Sequence, residues 1–331
     1  MVTYRFPQNV TYAADPARLQ FYRQGLILDL RFTLFRNGDP HRVTPVATHA
    51  KGSVMKNIAR SYVTDASPLP APWRDAHVAV VVPTYDEAGN IAELTRRVHA
   101  LDLPNLTLII VDDDSPDGTG AIADDLARRA NADRPGRMAV VHRKVKEGIG
   151  RAYVAGLKEA LRRGADFVVQ MDGDLSHRPE YIPRMLGTIM SAQAGVVIGS
   201  RYVSGGSLSA DWGRHRRLLS RFAGIYVNAI LKLPLRDVTG GFKMWRREVL
   251  KNIDLDAIRS DGYSFQVEMN HLCRQLGQSI VEIPIHFEER NSGSSKISFA
   301  VQFESMLTPL ALRFATRREP VGEARAARSM G

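Results

Sequence analysis

The stretch VAVVVPTYDEAGN (78–90) decides the fold, because it changes from a strand pattern to the start of a helix. Residues 78–82 form a continuous apolar run rich in β-branched side chains, which is typical of a strand buried on both faces. Pro83 ends that run, and a helical pattern follows over residues 88–100. A buried strand followed directly by a helix is the repeating unit of a parallel α/β sheet.

The same alternation continues along the chain. It predicts helices over residues 120–129, 150–162 and 181–190, and strands at LTLIIV (106–111), MAVVH (138–142), FVVQM (167–171) and VVIGS (196–200). We therefore expect a doubly wound α/β core with a mostly parallel sheet.

Four segments are predicted along the 331 residues. An extension of unassigned role (1–76) precedes the core (77–300). An amphipathic helix (301–318) ends in arginines and suits a membrane interface, although a helix packed on the core would show the same pattern. A disordered tail (319–331) follows.

Composition limits the location and the partners. The net charge of +10 favours polyanionic ligands, but the basic clusters lack the interleaved aromatics of a nucleic-acid surface. The single cysteine, Cys273, cannot form an internal disulfide. Residues 1–20 lack a signal-peptide pattern, and no uncharged apolar run reaches the ~18 residues of a membrane span. We expect a cytoplasmic protein that is peripheral at the cytoplasmic face of the membrane.

Acidic side chains follow two of the predicted strands. Asp86 and Glu87 come after the first strand, where they also suit the first turn of a helix. DDDSPDGTG (112–120) follows the second, and turn chemistry explains its second half but not three consecutive aspartates behind a buried strand. Crowded carboxylates repel each other, so they favour a cation or hydrogen-bond donors as ligands.

The sharpest signal is QMDGDLSH (170–177). Asp172 and Asp174 follow directly on an apolar strand, and residues spaced i, i+2 project to one side of an extended chain. Such a pair suits Mg²⁺ or Mn²⁺ bound together with a diphosphate.

Cationic segments lie farther along the chain. Guanidinium groups match phosphate oxygens, so we expect phosphate contacts from Arg201, from the cluster GRHRRLLSR (213–221) and from the Gly/Ser-rich EERNSGSSKIS (288–298). A solvated helix face and a hinge, respectively, are the alternatives for the last two segments. DVTGGFKMW (237–245) predicts a tight backbone turn beside a ligand.

Eight motifs in register resemble family 2 glycosyltransferases over about residues 77–300, and within them the polyprenyl-phosphate and dolichol-phosphate mannose synthases. The motifs are VPTYDEAGN, VDDDSPDGT, KEGIGRAYVAGLKEAL, QMDGDLSH, GSRY, DVTGGFKMW, GYSFQVEMN and RNSGSSKIS. The resemblance implies a GT-A-type fold with a Rossmann-like nucleotide-binding half.

The resemblance also implies roles for individual residues. Asp172 and Asp174 would hold the metal, with Ser176 in place of the glutamine that some relatives use as a further ligand. Asp174, Arg201 and Asp237 would be catalytic. The nucleotide pocket would include Pro83, Tyr85, Glu87, Asp112, Asp113 and Asp114, and the phosphates would be bound by Arg201, Arg216, Ser220, Arg290 and Lys296.

The expected reaction transfers a sugar, by resemblance mannose from GDP-mannose, to a polyprenyl phosphate with inversion. An ionised lipid phosphate needs no strong general base. Expected partners are the donor, the lipid acceptor, the membrane surface and a membrane-anchored protein such as some relatives use. The alternatives are UDP-glucose as donor, a soluble hydroxyl acceptor with Asp237 as base, and a non-catalytic nucleotide-binding protein.

Overall fold

The computed structural model describes strands 18–23 and 26–31 and residues 69–209, 214–258, 260–288 and 299–314. At 18–23, 26–31, 214–220 and 299–306 it describes the backbone only. The chain divides into two compact units, Met1–Thr64 and Asp65–Gly331. In the first unit, β1 (Arg18–Arg23) pairs antiparallel with β2 (Leu26–Arg31).

The described strands of the sheet in the second unit are β3 (Val78–Thr84), β4 (Leu106–Asp112), β5 (Met138–His142), β6 (Phe167–Gln170), β7 (Val196–Ser200), β9 (Lys243–Arg246) and β10 (Ile280–Pro284). Across the sheet they follow the order β10-β7-β9-β6-β3-β4-β5. A short parallel pair joins β8 (Ser207–Leu208) to β11 (His286–Phe287). The predicted α/β fold is confirmed, with strand bounds within a residue or two of those expected.

Helices cover both faces of the sheet. They are α1 (Ala71–Arg74), α2 (Ile91–His99), α3 (Thr119–Asp133), α4 (Ile149–Arg162), α5 (Ile182–Ser191), α6 (Arg214–Leu231), α7 (Arg247–Asn252), α8 (Gly262–Gln275) and α9 (Phe299–Phe314). Short 3₁₀ turns lie at Pro179–Tyr181 and Leu255–Ala257. The helix predicted over 301–318 thus begins at Phe299, and residues 315–318, like the predicted tail 319–331, lie outside the described residues.

The alternating side chains of each central strand form two cores. In β3, Ala79 and Val81 face the core beneath α4 and α8, whereas Val78, Val80 and Val82 face the core beneath α2 and α5. Both sets are fully buried. This burial explains why the strand sequence is apolar throughout rather than alternating.

Strands β9 and β10 are the parts of the sheet that the sequence did not predict, and β9 is the one that departs from the parallel pattern. It lies between β6 and β7 and runs antiparallel to both, while the other pairs in this sheet are parallel. Its four residues include Lys243, which is fully buried and donates to the Gln266 carbonyl of α8 at 3.0 Å. A short strand that begins with a charged residue lacks the apolar run from which the other strands were predicted.

Helix α4 packs directly on the sheet at Gly156. A β-carbon built at Gly156 would lie 2.2 Å from Val81 Cγ1 and 2.9 Å from Val111 Cγ2. Both valines are fully buried. The absent side chain therefore sets the distance between α4 and the sheet.

We expect Gly156→Ala to lower the free energy of unfolding. Overpacking a tight core costs about 1–3 kcal/mol, and the roughly 1 kcal/mol that Ala gains over Gly in a helix offsets only part of that cost. Chemical denaturation of the variant measures the change. Gly89→Ala is the matched control, because nothing lies within 4 Å of its added β-carbon; equal stability of the two variants would contradict this packing.

Candidate functional site

The carboxyl ends of β3, β4 and β6 lie at one edge of the sheet. Thr84 at the end of β3 pairs with Asp112 at the end of β4, and Val81 pairs with Gln170 at the end of β6. In open α/β sheets, ligands bind outside this edge. The acidic segments predicted from the sequence therefore follow strands that end together.

Asp172 and Asp174 are each held by a side-chain hydroxyl. Asp172 Oδ1 accepts from the Tyr153 hydroxyl of α4 at 2.8 Å. Asp174 Oδ1 accepts from the Ser176 backbone at 3.0 Å and from its hydroxyl at 2.6 Å. The tight turn that allows this closure places Leu175 in the left-handed region at φ 64°. Ser176 therefore supports Asp174 from within the loop.

His177 binds the backbone of the same segment. Its Nδ1 accepts from the Asp172 amide at 3.2 Å, and its ring stacks on Phe242 with centroids 5.1 Å apart. Burial lowers the pKa of His177, against the opposing effect of the nearby aspartates. The imidazole is therefore neutral and carries no proton on Nδ1, which leaves that nitrogen free to accept the hydrogen bond.

Arg201 and Asp237 form a buried, two-point ion pair. Arg201 Nε donates to Asp237 Oδ2 at 2.8 Å, and a terminal guanidinium nitrogen donates to Oδ1 at 2.6 Å. Burial alone would lower the pKa of Arg201, but the charge and hydrogen bonds of Asp237 raise it above its ordinary value. The pair therefore stays ionised and joins the end of β7 to the turn before β9.

Three further contacts brace that turn. Glu282 of β10 accepts from the backbone amides of Arg236 and Asp237, both at 2.8 Å, and Asn270 of α8 donates to the Val238 carbonyl at 2.9 Å. The turn leads to Gly241, where an added β-carbon would lie 3.6 Å from Asp172 Oδ1. The predicted turn thus lies beside the predicted metal ligands.

The aspartates after β4 differ in their surroundings. Asp112 accepts from Thr84 at 3.3 Å and from Ser115 at 2.6 Å. Asp113 pairs with Arg143, and burial raises the pKa of its carboxyl although Arg143 opposes the shift. Asp114 is exposed, with φ 59°. Of the three, Asp114 presents its side chain most openly to solvent.

The residues after β3 complete this edge. Pro83 is buried within the strand end. Tyr85 lies under Lys146, whose Nζ is 3.3 Å from the ring centroid. Glu87 accepts from Asn90 at 2.7 Å, and its amide donates to Thr119 at 2.9 Å. The sequence analysis did not predict that Arg143 and Lys146 belong to this edge. The only sequence signal for them is that several basic residues stand close together there.

Four predicted phosphate ligands are not described in side-chain detail. Arg216 and Ser220 belong to α6, in the part of that helix described by its backbone only. Arg290 and Lys296 lie outside the described residues. Their roles stay predictions.

The residues present suit a divalent cation. In the described part of the chain, no group of three or more His, Cys, Asp or Glu residues is arranged to hold a metal, so protein ligands alone would not complete a coordination shell. Asp172, whose side chain is 26% exposed, keeps acceptor capacity beyond its bond to Tyr153. Carboxylate oxygens completed by diphosphate oxygens and water are what Mg²⁺ or Mn²⁺ prefers.

Asp237→Asn should lower the free energy of unfolding by about 3–5 kcal/mol, because it leaves the buried Arg201 charge without a counter-charge. Chemical denaturation measures the loss. The control is Asp124→Asn, which breaks an exposed pair with His142 and should change stability by about 0.5 kcal/mol or less. Similar losses in both variants would show that the Arg201 pair is not buried as described.

Comparisons with known proteins agree with this architecture. The model of the family described as Glycosyl transferase family 2 matches residues 79–254. A polyprenol monophosphomannose synthase of Mycolicibacterium smegmatis is 45% identical over 219 residues, 66% of this chain and 80% of that protein. An undecaprenyl-phosphate mannosyltransferase of Micrococcus luteus is 40% identical over 242 residues, 73% of this chain and 96% of that protein.

Solved structures share the fold at low sequence identity. A glucosyl-3-phosphoglycerate synthase from Mycobacterium tuberculosis in complex with phosphoglyceric acid has a TM-score of 0.57 at 18% identity, over 74% of this chain and 83% of that chain. The same enzyme with Mn²⁺, uridine diphosphate and glucosyl-3-phosphoglycerate has a TM-score of 0.56 at 17% identity, over 82% of this chain and 88% of that chain. These matches bear on the fold alone.

Proposed function

The chain belongs to glycosyl transferase family 2, and from this premise we propose that it transfers mannose from GDP-mannose to a polyprenyl phosphate. The observation that carries the proposal is the 40–45% identity to two mannosyltransferases whose names specify a polyprenol or undecaprenyl acceptor. The site supports it, because carboxylates that suit a divalent cation lie at the ligand-binding edge of the sheet.

In the proposed reaction, an oxygen of the lipid phosphate attacks the anomeric carbon of the donor. A bond forms between that oxygen and the carbon, and the bond from the carbon to the diphosphate oxygen breaks, which inverts the configuration. Asp172 and Asp174 would hold the divalent metal, and a bound metal neutralises the charge that develops on the diphosphate. The catalytic task that remains is to align two anions.

The Arg201–Asp237 pair favours a phosphate acceptor over a hydroxyl acceptor. A hydroxyl would need a general base, and Asp237 is the residue predicted for that role. Asp237 is 1% exposed and both of its oxygens are bound by Arg201. A phosphate is mostly ionised at neutral pH and needs no base, so Asp237 can act by orienting Arg201.

A transfer assay tests this proposal. The full chain is incubated with radiolabelled GDP-mannose, Mn²⁺ and polyprenyl phosphate, and the labelled lipid is extracted into organic solvent and counted. We expect Asp174→Asn to lower transfer by about 100-fold or more, since a metal contributes several kcal/mol to charge stabilisation. Asp256→Asn is the matched control, because Asp256 lies in an exposed pair with Lys158.

If labelled lipid forms from UDP-glucose and not from GDP-mannose, the donor is UDP-glucose and the proposed donor is wrong. Absence of labelled lipid from either donor, while the protein still binds the sugar nucleotide, would overturn the lipid acceptor. Equal activity of Asp174→Asn and the control would overturn the assigned metal ligands.

We also propose that the enzyme works at the membrane surface, where its acceptor lies. Among the helices that the structure describes, none combines the length and apolar character of a bilayer crossing. Two helices in mutual contact nevertheless expose apolar residues at helical spacing, Phe222 and Ile225 of α6 and Leu307, Leu310 and Phe314 of α9. Arg221 and Arg313 are exposed on the same two helices. Apolar side chains flanked by arginines suit an anionic interface.

Flotation with phosphatidylglycerol vesicles tests this membrane surface. We expect Phe222→Glu to lose most vesicle binding, because it puts a carboxylate where an apolar side chain would enter the interface. Arg128→Glu, on an exposed position of α3, is the control. It removes more positive charge than Phe222→Glu, so a greater loss in the control would show that net charge alone drives binding and would contradict the proposed surface.

A further inference from the structure

The side chain and the backbone of Asp172 are fixed by different elements. The Tyr153 hydroxyl of α4 donates to the carboxylate at 2.8 Å, and His177 accepts from the amide at 3.2 Å. The orientation of the Asp172 carboxylate therefore depends on a side chain of helix α4.

Tyr153 has little freedom to move. It is fully buried, and its ring stacks on Phe265 of α8 with centroids 5.7 Å apart and planes within 3°. Gly156, on the next turn of α4, holds the helix against Val81 and Val111. The ring is thus enclosed by two helices and the sheet, with its hydroxyl directed at Asp172.

The Tyr153 hydroxyl engages one oxygen of the carboxylate, Asp172 Oδ1. A phenol hydroxyl that donates to a carboxylate fixes which carboxylate oxygen is engaged and which is left for a ligand.

We propose that Tyr153 is a positioning residue that sets how tightly the site holds its divalent cation, by fixing the orientation of the Asp172 carboxylate. This inference rests on the proposed function, in which Asp172 and Asp174 hold that cation. Two effects oppose each other, because losing the hydroxyl makes the carboxylate slightly more basic but also frees it to rotate. In metal sites generally, loss of such an outer partner lowers metal affinity about 10–100-fold, so the orientation effect dominates.

Tyr153→Phe tests the proposal, because it removes only the hydroxyl. Mn²⁺ would be titrated into the full chain with GDP present, and free Mn²⁺ followed by electron paramagnetic resonance. We expect the Mn²⁺ dissociation constant to rise about 10-fold or more. The Mn²⁺ concentration for half-maximal transfer should rise in parallel, while the rate at saturating Mn²⁺ stays near that of the unaltered chain.

Tyr181→Phe is the matched control, because the Tyr181 hydroxyl accepts from the His286 amide rather than binding an aspartate. Its Mn²⁺ constant should not change. Phe265→Leu is a second variant, which removes the stacking partner and keeps the hydroxyl; it should weaken Mn²⁺ binding in the same direction but less.

An unchanged Mn²⁺ constant in Tyr153→Phe would overturn the proposal, as would a lower rate at every metal concentration without a change in that constant. Failure of the unaltered chain to bind Mn²⁺ would overturn it as well. Mn²⁺ binding that depends on Tyr153 in a chain that transfers no mannose to lipid would support this inference and overturn the proposed function separately.

Discussion

The buried ion pair between Arg201 and Asp237 connects the parts of the site that come from distant sequence. It ties the end of β7 to the turn before β9, and Glu282 and Asn270 brace the same turn from β10 and α8. Because the turn leads to Gly241 beside Asp172, the geometry of the predicted metal ligands depends on a contact in which they take no part. One unpaired charge at this place would disturb two strand ends at once.

Much of the fold could be predicted because its strands are buried on both faces. Residues 78–82 and 106–111 are apolar on both faces of the strand, so a continuous apolar run is enough to predict each of them as a strand. β9 and β10 could not be found in this way. Lys243 starts β9 yet is fully buried, and burial lowers its pKa to about 7. Its place depends on pairing with β6 and β7, which local sequence does not encode.

The candidate site divides along similar lines. Residues directly after strands, such as Asp172 and Asp174, were predicted because the ends of parallel strands share one edge. Tyr153 was missed because an aromatic residue on the buried face of a helix is normally interpreted as part of the hydrophobic core. The neighbouring sequence does not show that its hydroxyl donates to an aspartate. His177 and Arg143 were missed because their hydrogen-bond and ion-pair partners are known only once the chain is folded.

The placement of β9 also constrains the order in which the sheet can assemble. Strands β3 to β6 form a contiguous block that is complete at Gln170, so they can pair while the rest of the chain is still being synthesised. Among the described strands, β7 pairs only with β9 and β10, both of which come later in sequence. After its synthesis β7 therefore stays unpaired, with its apolar side chains exposed, until β9 leaves the ribosome. During that interval its apolar side chains and unpaired backbone are exposed to aggregation.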